Sequence, residues 1–174
     1  MPDQNRTVFF WKETGENGYF SNWYRRKFVI DDFEYEFVEQ YMMSQKAKLF
    51  HDSKRYTAIL RTTDPEECKK LGKLVTPFDS KQWNEHKVEI VKAGNRAKFE
   101  QNPDLMNLLL DTGDAILAEA SPWDKIWGIG LYARTAKTTD PTDWPGQNLL
   151  GKILMELREE FRQAWIPDTE KTAD

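Results

Sequence analysis

The chain has 174 residues, of which 39% are hydrophobic and 13% aromatic, and this is enough apolar material for one domain with a buried core. Its formal net charge is −4 and no run of basic residues stands out, so the sequence lacks the electrostatic signature of a general DNA or RNA binder. Cys68 is the only cysteine, which excludes an intrachain disulfide, and no export signal or membrane-spanning stretch is recognisable. We therefore expect a cytoplasmic protein without membrane association.

The residue pattern predicts an α+β fold, a single compact domain that is mostly helical with a small sheet, over residues 7–165, with polar tails at 1–6 and 166–174. Strands are expected at Thr7–Trp11 and Ala115–Ala120, and a hairpin over Lys27–Glu36 turns at Asp31–Asp32. Helices are expected, in chain order, over Phe37–Phe50, Ser53–Arg61, Pro65–Lys73, Asp79–Gln101, Pro103–Asp111 and Asn148–Trp165. The longest loops are expected over Ser121–Gly130 and Thr135–Gln147.

The predicted helix Phe37–Phe50 carries two charges where apolar residues are usual. At about 100° per residue, Glu39 and Lys46 fall on one arc of the helix, among its apolar side chains. The opposite side takes the more polar residues, namely Gln40, Tyr41, Ser44, Gln45 and Lys48. A buried charge needs a partner, so an ion-pair network or a different helix phase would account for the pattern. We favour a polar cleft that borders this face and holds both charges.

A second cluster of candidate site residues lies in the loop Ser121–Gly130. Trp123 and Trp127 offer flat faces for a base or a sugar ring, and Asp124 is a candidate acid, base or ribose hydroxyl acceptor. Gly128 and Gly130 let the backbone approach a ligand closely. A tight turn around core tryptophans is the alternative, and these residues alone favour it, because a Gly-x-Gly pattern is weak evidence.

Four further residues are candidates for a binding role. Asn148 precedes the last helix as a predicted N-cap, and a helix start also suits phosphate. Asn22 and Trp23 follow the first turn, where they could enter a cleft or form a plain surface turn. Arg96 could bind phosphate with its guanidinium or cover a solvated helix face. No metal site is expected, because the single cysteine and the two histidines have no ligand spacing.

Taken together, these segments resemble the NADAR family, which includes the YbiA-like N-glycosidases. The similarity covers roughly residues 8 to 165. The matching segments appear in the family's order and are Phe20–Trp23, Glu39–Ala47, Gly94–Phe99, Leu117–Asp124, Ile126–Leu131 and Gly146–Gly151. Each segment is weak evidence alone, and their shared order is strong evidence.

The resemblance implies hydrolysis of an N-glycosidic bond to ribose. It implies a phosphoribosylamino-pyrimidine of riboflavin synthesis as the substrate, or else ADP-ribosylated guanine in nucleic acid. Carried over to this chain, it makes Glu39, Lys46 and Asp124 the catalytic candidates. The residues expected to shape the ribose and phosphate pocket are Asn22, Trp23, Trp123, Trp127, Gly128, Gly130 and Asn148.

The expected chemistry leaves alternatives open. Glu39 would stabilise an oxocarbenium-like state or activate water, and Asp124 would orient the ribose or assist proton transfer. Lys46 would hold phosphate as a cation or form a Schiff base with the opened sugar. A non-catalytic ADP-ribose or NAD binding module is a third hypothesis, which the charged set on an apolar face disfavours. No cofactor is implied, and the expected partner is a ribosylated or ADP-ribosylated small molecule, with ADP-ribosylated nucleic acid as the alternative.

Overall fold

The computed structural model describes residues 6–164. The strands are β1 (Thr7–Phe10), β2 (Phe28–Ile30), β3 (Phe33–Tyr35) and β4 (Ile116–Glu119). The helices are α1 (Val38–Leu49), α2 (Ser53–Arg61), α3 (Pro65–Lys73), α4 (Ser80–Glu100), α5 (Pro103–Leu110), α6 (Ala133–Ala136) and α7 (Leu149–Ala164). The predicted α+β class, mostly helical with little strand, is confirmed. The predicted tails and the last predicted helical residue, Trp165, lie outside the described residues, except for Arg6.

Two separate strand pairs replace one continuous sheet. β1 and β4 are parallel, in a register that pairs Thr7 with Ile116 and Phe10 with Glu119. β2 and β3 form the predicted antiparallel hairpin. Asp31 and Asp32 both have positive φ angles, of 51° and 62°. A two-residue hairpin turn requires such angles when its twist matches that of the flanking strands. The parallel pair matters for the site, because Glu119 is its last residue.

Helix α1 is the central element, with α2, α3, α4 and β3 packed around it. Much of the side of α1 that carries the more polar residues is also buried, since Gln40 is 2% exposed and Ser44 is fully buried. The Gln40 amide donates to the carbonyls of Ile59 and Thr62 at 3.2 and 3.0 Å, which belong to the last turn and C-cap of α2. Of the residues assigned to this side, Gln40 therefore faces α2, whereas Lys48 is exposed to solvent.

The helix starts follow the predicted chemistry in part. Asp79 caps α4 by accepting a hydrogen bond from the Gln82 N–H. Pro65 occupies the first turn of α3, where the helix predicted from Pro65 begins. Asn148 stands directly before α7, but its predicted side-chain cap is wrong, because its side chain bonds to β4 and its φ is +53°. The short helix α6 was not predicted and extends into the first two residues of the predicted loop Thr135–Gln147.

The core lies between the parallel strand pair and the helices α1, α4, α5 and α7. Helix α7 packs on β4 and on α4 and buries Ile153, Leu157 and Phe161, whereas Leu149 at its first position is partly exposed. Among residues 6–164, no helix is long and apolar enough to cross a membrane. The cytoplasmic location remains a prediction.

Lys98 is fully buried and stands on α4 beneath the segment that carries Asn22 and Trp23. Its amine donates to the carbonyls of Tyr19 and Ser21 at 2.7 and 3.1 Å. Burial lowers the pKa of Lys98 to about 7. A neutral amine has two hydrogens, and these two carbonyls use both. Lys98 therefore fixes the approach of this segment to α1.

We predict that Lys98→Met destabilises the fold by about 1–3 kcal/mol at pH 7, because the Tyr19 and Ser21 carbonyls lose their donor. The lowered pKa of Lys98 also makes the stability of the protein depend on pH. The unfolded state binds more protons between pH 7 and 10.5, so the stability of the wild type rises over that range through Lys98. Urea denaturation at several pH values would measure both effects. Lys81→Met, on the exposed start of α4, is the matched control and is expected to change little.

Candidate active site

Glu39 is the centre of the candidate site. It occupies the first turn of α1, and its backbone N–H donates to the Asn22 carbonyl at 2.9 Å. This bond fixes the segment around Asn22 and Trp23 against the start of the helix. Glu39 is 8% exposed, and burial raises the pKa of its carboxyl to about 7. The predicted burial of a carboxylate on this helix is therefore correct.

The groups around Glu39 come from four parts of the chain. After burial, the strongest influence on its pKa is Lys69, on α3, which lowers it, followed by Asp124, which raises it. The Trp23 indole, as a hydrogen-bond donor, and the Lys46 ammonium lower the pKa further. The structure thus brings the three predicted catalytic residues together with Trp23 and with Lys69.

Glu119 is a second buried carboxyl in this site. It ends β4, and burial raises its pKa to about 8, with further increases from Asp124 and Glu39 and an opposing effect from Lys69. Its Oε2 atom is buried and has no hydrogen-bond partner among the described residues. A buried polar atom without a partner is uncommon. Glu119 is thus mainly protonated at neutral pH and is suited to meet a polar atom of a ligand.

Asp124 reaches the site because its loop folds tightly onto β4. Its Oδ1 accepts the N–H groups of Ile126 and Trp127, both at 2.8 Å. A Cβ on Gly128 would lie 2.8 Å from the Glu119 carbonyl oxygen and 2.9 Å from that of Asp124. Only glycine fits this gap, so Gly128 permits the closure that places Asp124 beside Glu119.

Lys46 and Lys69 border the carboxyls from two different helices. Lys46 is half-buried, and its Nζ lies 4.6 Å from the Phe78 ring centre and 5.5 Å from that of Trp83. Burial lowers the pKa of Lys46, and Glu39 partly offsets this effect. Lys69 is exposed, and its Nζ lies 5.9 Å from the Trp23 ring. The site therefore holds one partly desolvated amine and one solvated cation.

The tryptophans predicted to bind a ring differ in position. Trp123, next to Asp124, is 80% exposed, which is unusual for so large an apolar side chain. Trp23 is half-buried beside Glu39, whereas Trp127 packs against the main core. Trp123 and Trp23 are thus available to a ligand, while Trp127 serves mainly to hold the loop.

Three other predicted binding residues have structural partners. Asn148 is 5% exposed, and its amide bonds the Glu119 N–H and the Leu117 carbonyl at 3.1 and 2.8 Å. Gly130 has a φ of +73° and allows the turn that follows the loop. Arg96 pairs with Glu160 of α7 at 2.6 Å, and no contact within residues 6–164 connects it to the carboxyl cluster. Asn148 and Gly130 shape the site, and Arg96 joins two helices.

The sequence reasoning missed Glu119 and Lys69. A signal for Glu119 was present, because it is a charged residue that closes an apolar strand directly before the loop of Asp124. Lys69 carried none, since it is one of several lysines on an exposed helix face.

Cys68, next to Lys69, is not a nucleophile, because burial raises its pKa to about 12. The described residues contain no cluster arranged to hold a metal ion.

Known proteins resemble this chain over most of its length. Residues 9–162 match the family model of the NADAR domain. An N-glycosidase of Acanthamoeba polyphaga mimivirus is 51% identical over 130 residues, 75% of this chain and 76% of that protein. A riboflavin biosynthesis protein of Vibrio vulnificus is 30% identical over 90% of this chain, which spans 39% of that longer protein. The NMR structure of the E. coli protein YbiA matches with a TM-score of 0.77 and 30% identity, over 92% of this chain and 88% of that one.

The raised pKa of Glu119 predicts a pH dependence of stability. Because the folded state holds this proton up to about pH 8, the contribution of Glu119 is fully present below about pH 4.5 and is lost as the pH rises through 8. Glu119→Gln cannot ionise and should lose less stability over this range. The difference should exceed about 1.4 kcal/mol, which corresponds to one pH unit of proton affinity. Parallel pH profiles of both proteins in urea denaturation would contradict the buried neutral carboxyl.

Proposed function

Because this chain belongs to the NADAR family, we propose that it is an N-glycosidase that hydrolyses the bond between ribose and nitrogen in a phosphoribosylamino-pyrimidine or a related ribosylated metabolite. The observation that carries the proposal is a cluster of three carboxyls, namely the buried Glu39, Glu119 with its buried Oε2 atom, and the partly exposed Asp124. The amines of Lys46 and Lys69 border this cluster. The N-glycosidase among the relatives supports the reaction type, and the riboflavin biosynthesis protein supports the substrate class.

Burial raises the pKa of both carboxyls, and it raises that of Glu119 further, so Glu119 holds its proton more firmly than Glu39. Glu39, with a pKa of about 7, is substantially ionised and can stabilise positive charge at C1 of the ribose or accept a proton. Glu119, with a pKa of about 8, is mainly neutral and can donate a proton. Two carboxyls whose environments separate their proton affinities are typical of acid–base pairs. Asp124 raises the pKa of both, so it helps to keep the proton on Glu119.

Two routes use these groups. In the direct route, water attacks C1 as the bond from C1 to nitrogen breaks. Glu39 then accepts the proton of the water, and Glu119 protonates the departing nitrogen. In the covalent route, the sugar ring opens, with its oxygen taking a proton from Glu119 and C1 becoming doubly bonded to nitrogen. The Lys46 amine adds to C1, and its proton passes through Glu39 to the leaving nitrogen. Water then hydrolyses the Lys46 imine, and Glu119 regains its proton.

Burial shifts the pKa of Lys46 in the direction that the covalent route requires. Nucleophilic attack needs a neutral amine, and the burial of Lys46 against Phe78 and Trp83 lowers its pKa. Lys69, which is exposed, remains available as the cation that binds the phosphate of the substrate. Trp123, at the edge of the site, is placed to stack on the pyrimidine ring.

Removal of ADP-ribose from modified guanine is a second candidate function. The exposure of Trp123 favours it, because an open edge accepts a base that belongs to a longer strand. The reacting bond and the acid–base groups would be the same in both cases. The substrate test below therefore decides between the two functions.

We predict that the purified protein releases free base or amine from a phosphoribosylamino-pyrimidine, and that Glu39→Gln lowers the rate about a hundredfold or more. Chromatography of the products would measure the rate, with an ADP-ribosylated guanine oligonucleotide as the second substrate. Glu89→Gln, exposed on α4, is the matched control and should keep the wild-type rate. Release from the oligonucleotide alone would favour the second function, and release from neither would exclude both.

Borohydride trapping under turnover tests the role of Lys46. The covalent route predicts a reduced sugar adduct on Lys46, detected by peptide mass spectrometry, in the wild type but not in Lys46→Arg. Lys46→Arg keeps the positive charge, so its loss of activity would separate nucleophilic attack from phosphate binding. An active Lys46→Arg, or turnover without an adduct, would leave the direct route as the mechanism.

A further inference from the structure

A large groove lies along β1, away from the carboxyl cluster. Its volume is about 840 Å³, within the range of roughly 300–1,000 Å³ that is usual for ligand pockets. One side consists of the consecutive residues Arg6–Lys12, and the other includes Ala120, residues 132–134 and Lys137. Ala120 follows Glu119 directly, so β4 separates the groove from the candidate active site.

The charge of the groove contrasts with that of the whole chain. Four cations line it, namely Arg6, Lys12, Arg134 and Lys137, against one carboxylate, Glu16. The chain as a whole has a formal net charge of −4. None of the four cations forms a salt bridge with another residue in the described part of the chain, so their charge is not neutralised there. The groove is therefore a local site for anions on an acidic protein.

Aromatic rings stand beside these cations. Trp11 and Tyr132 pack edge to face with their ring centres 6.0 Å apart, and Tyr132 is 40% exposed. The Lys12 ammonium lies 5.1 Å from the Trp11 ring centre, and the Arg134 guanidinium lies 5.2 Å from that of Tyr132. Each ring is thus paired with a cation at the groove, which combines a surface for stacking with a contact for phosphate.

We propose that this groove binds a nucleotide, with its base stacked on the exposed Tyr132 ring beside Trp11 and its phosphates on Arg134, Lys137, Lys12 and Arg6. Four cations exceed the need of one phosphate monoester, which favours a diphosphate or successive phosphates of a strand. A carboxylate ligand would use the cations and leave the rings unused. The nucleotide is either free or part of a single strand, and the chemistry of the groove is the same for both.

Binding measurements test the groove without any turnover. The probes are ADP, by calorimetry, and a fluorescent single-stranded thymidine oligonucleotide, by anisotropy. Arg134→Glu with Lys137→Glu should weaken binding at least about tenfold. For the oligonucleotide, each lost phosphate contact should reduce the slope of log affinity against log salt concentration by about 0.7. Tyr132→Ala should weaken binding about tenfold through lost stacking. The matched control, Lys54→Glu with Arg61→Glu, reverses two exposed charges on α2 and should leave the affinity unchanged.

The outcome for each probe identifies the source of the nucleotide. Groove-dependent binding of ADP indicates a free nucleotide, and groove-dependent binding of the oligonucleotide alone indicates a strand. Lack of binding to either probe, or equal affinity in the Arg134→Glu, Lys137→Glu variant, overturns the proposal. Glu39 lies outside the groove, so the Glu39→Gln variant should bind both probes like the wild type. Loss of hydrolysis and loss of binding in the groove can therefore be distinguished.

Discussion

The desolvation of carboxyl groups at the junction of α1 and β4 is the constraint on which the candidate site depends. Glu39 and Glu119 would both be ionised in water, and two buried negative charges in one site would repel each other. The fold removes both groups from solvent beside Asp124, and this raises their pKa values and keeps one proton in the site. The positive charges of Lys46 and Lys69 reduce the free-energy cost of the remaining negative charge. Everything that positions β4 against α1 therefore also sets the protonation state.

Much of the supporting structure consists of polar side chains that bond to backbone groups. Asn148 holds the end of β4, Lys98 holds the segment before Asn22, and Gln40 holds the last turn of α2. Each of these side chains is buried. Such groups stabilise one arrangement of loops specifically, because any other arrangement leaves them without partners. The loops that carry Trp23 and Asp124 are thereby fixed without belonging to a helix or a strand.

Local patterns were enough to predict most elements of this fold. The hairpin at Asp31–Asp32, the start of α3 at Pro65, and the shared face of Glu39 and Lys46 all depend on residues close in sequence. Contacts between distant segments could not be predicted in this way. The pairing of β1 with β4, the approach of Lys69 from α3 and the basic groove each combine residues that are far apart in the chain. Asn148 is an example of this limit of local patterns, because a residue suited to cap a helix forms hydrogen bonds with a strand instead.

The parallel pairing of β1 with β4 also bears on how the protein folds. Helices α1 to α5 lie between these strands in the chain, so the strands can meet only after a long loop closes. Contacts of such high sequence separation form slowly, and they form late when the intervening helices are stable on local contacts. Glu119 acquires its buried environment only when this pairing and the bonds from Asn148 are in place. A nascent chain on the ribosome therefore exposes these carboxyls in their ordinary ionised state until the segment around Asn148 has been synthesised and can fold back onto β4.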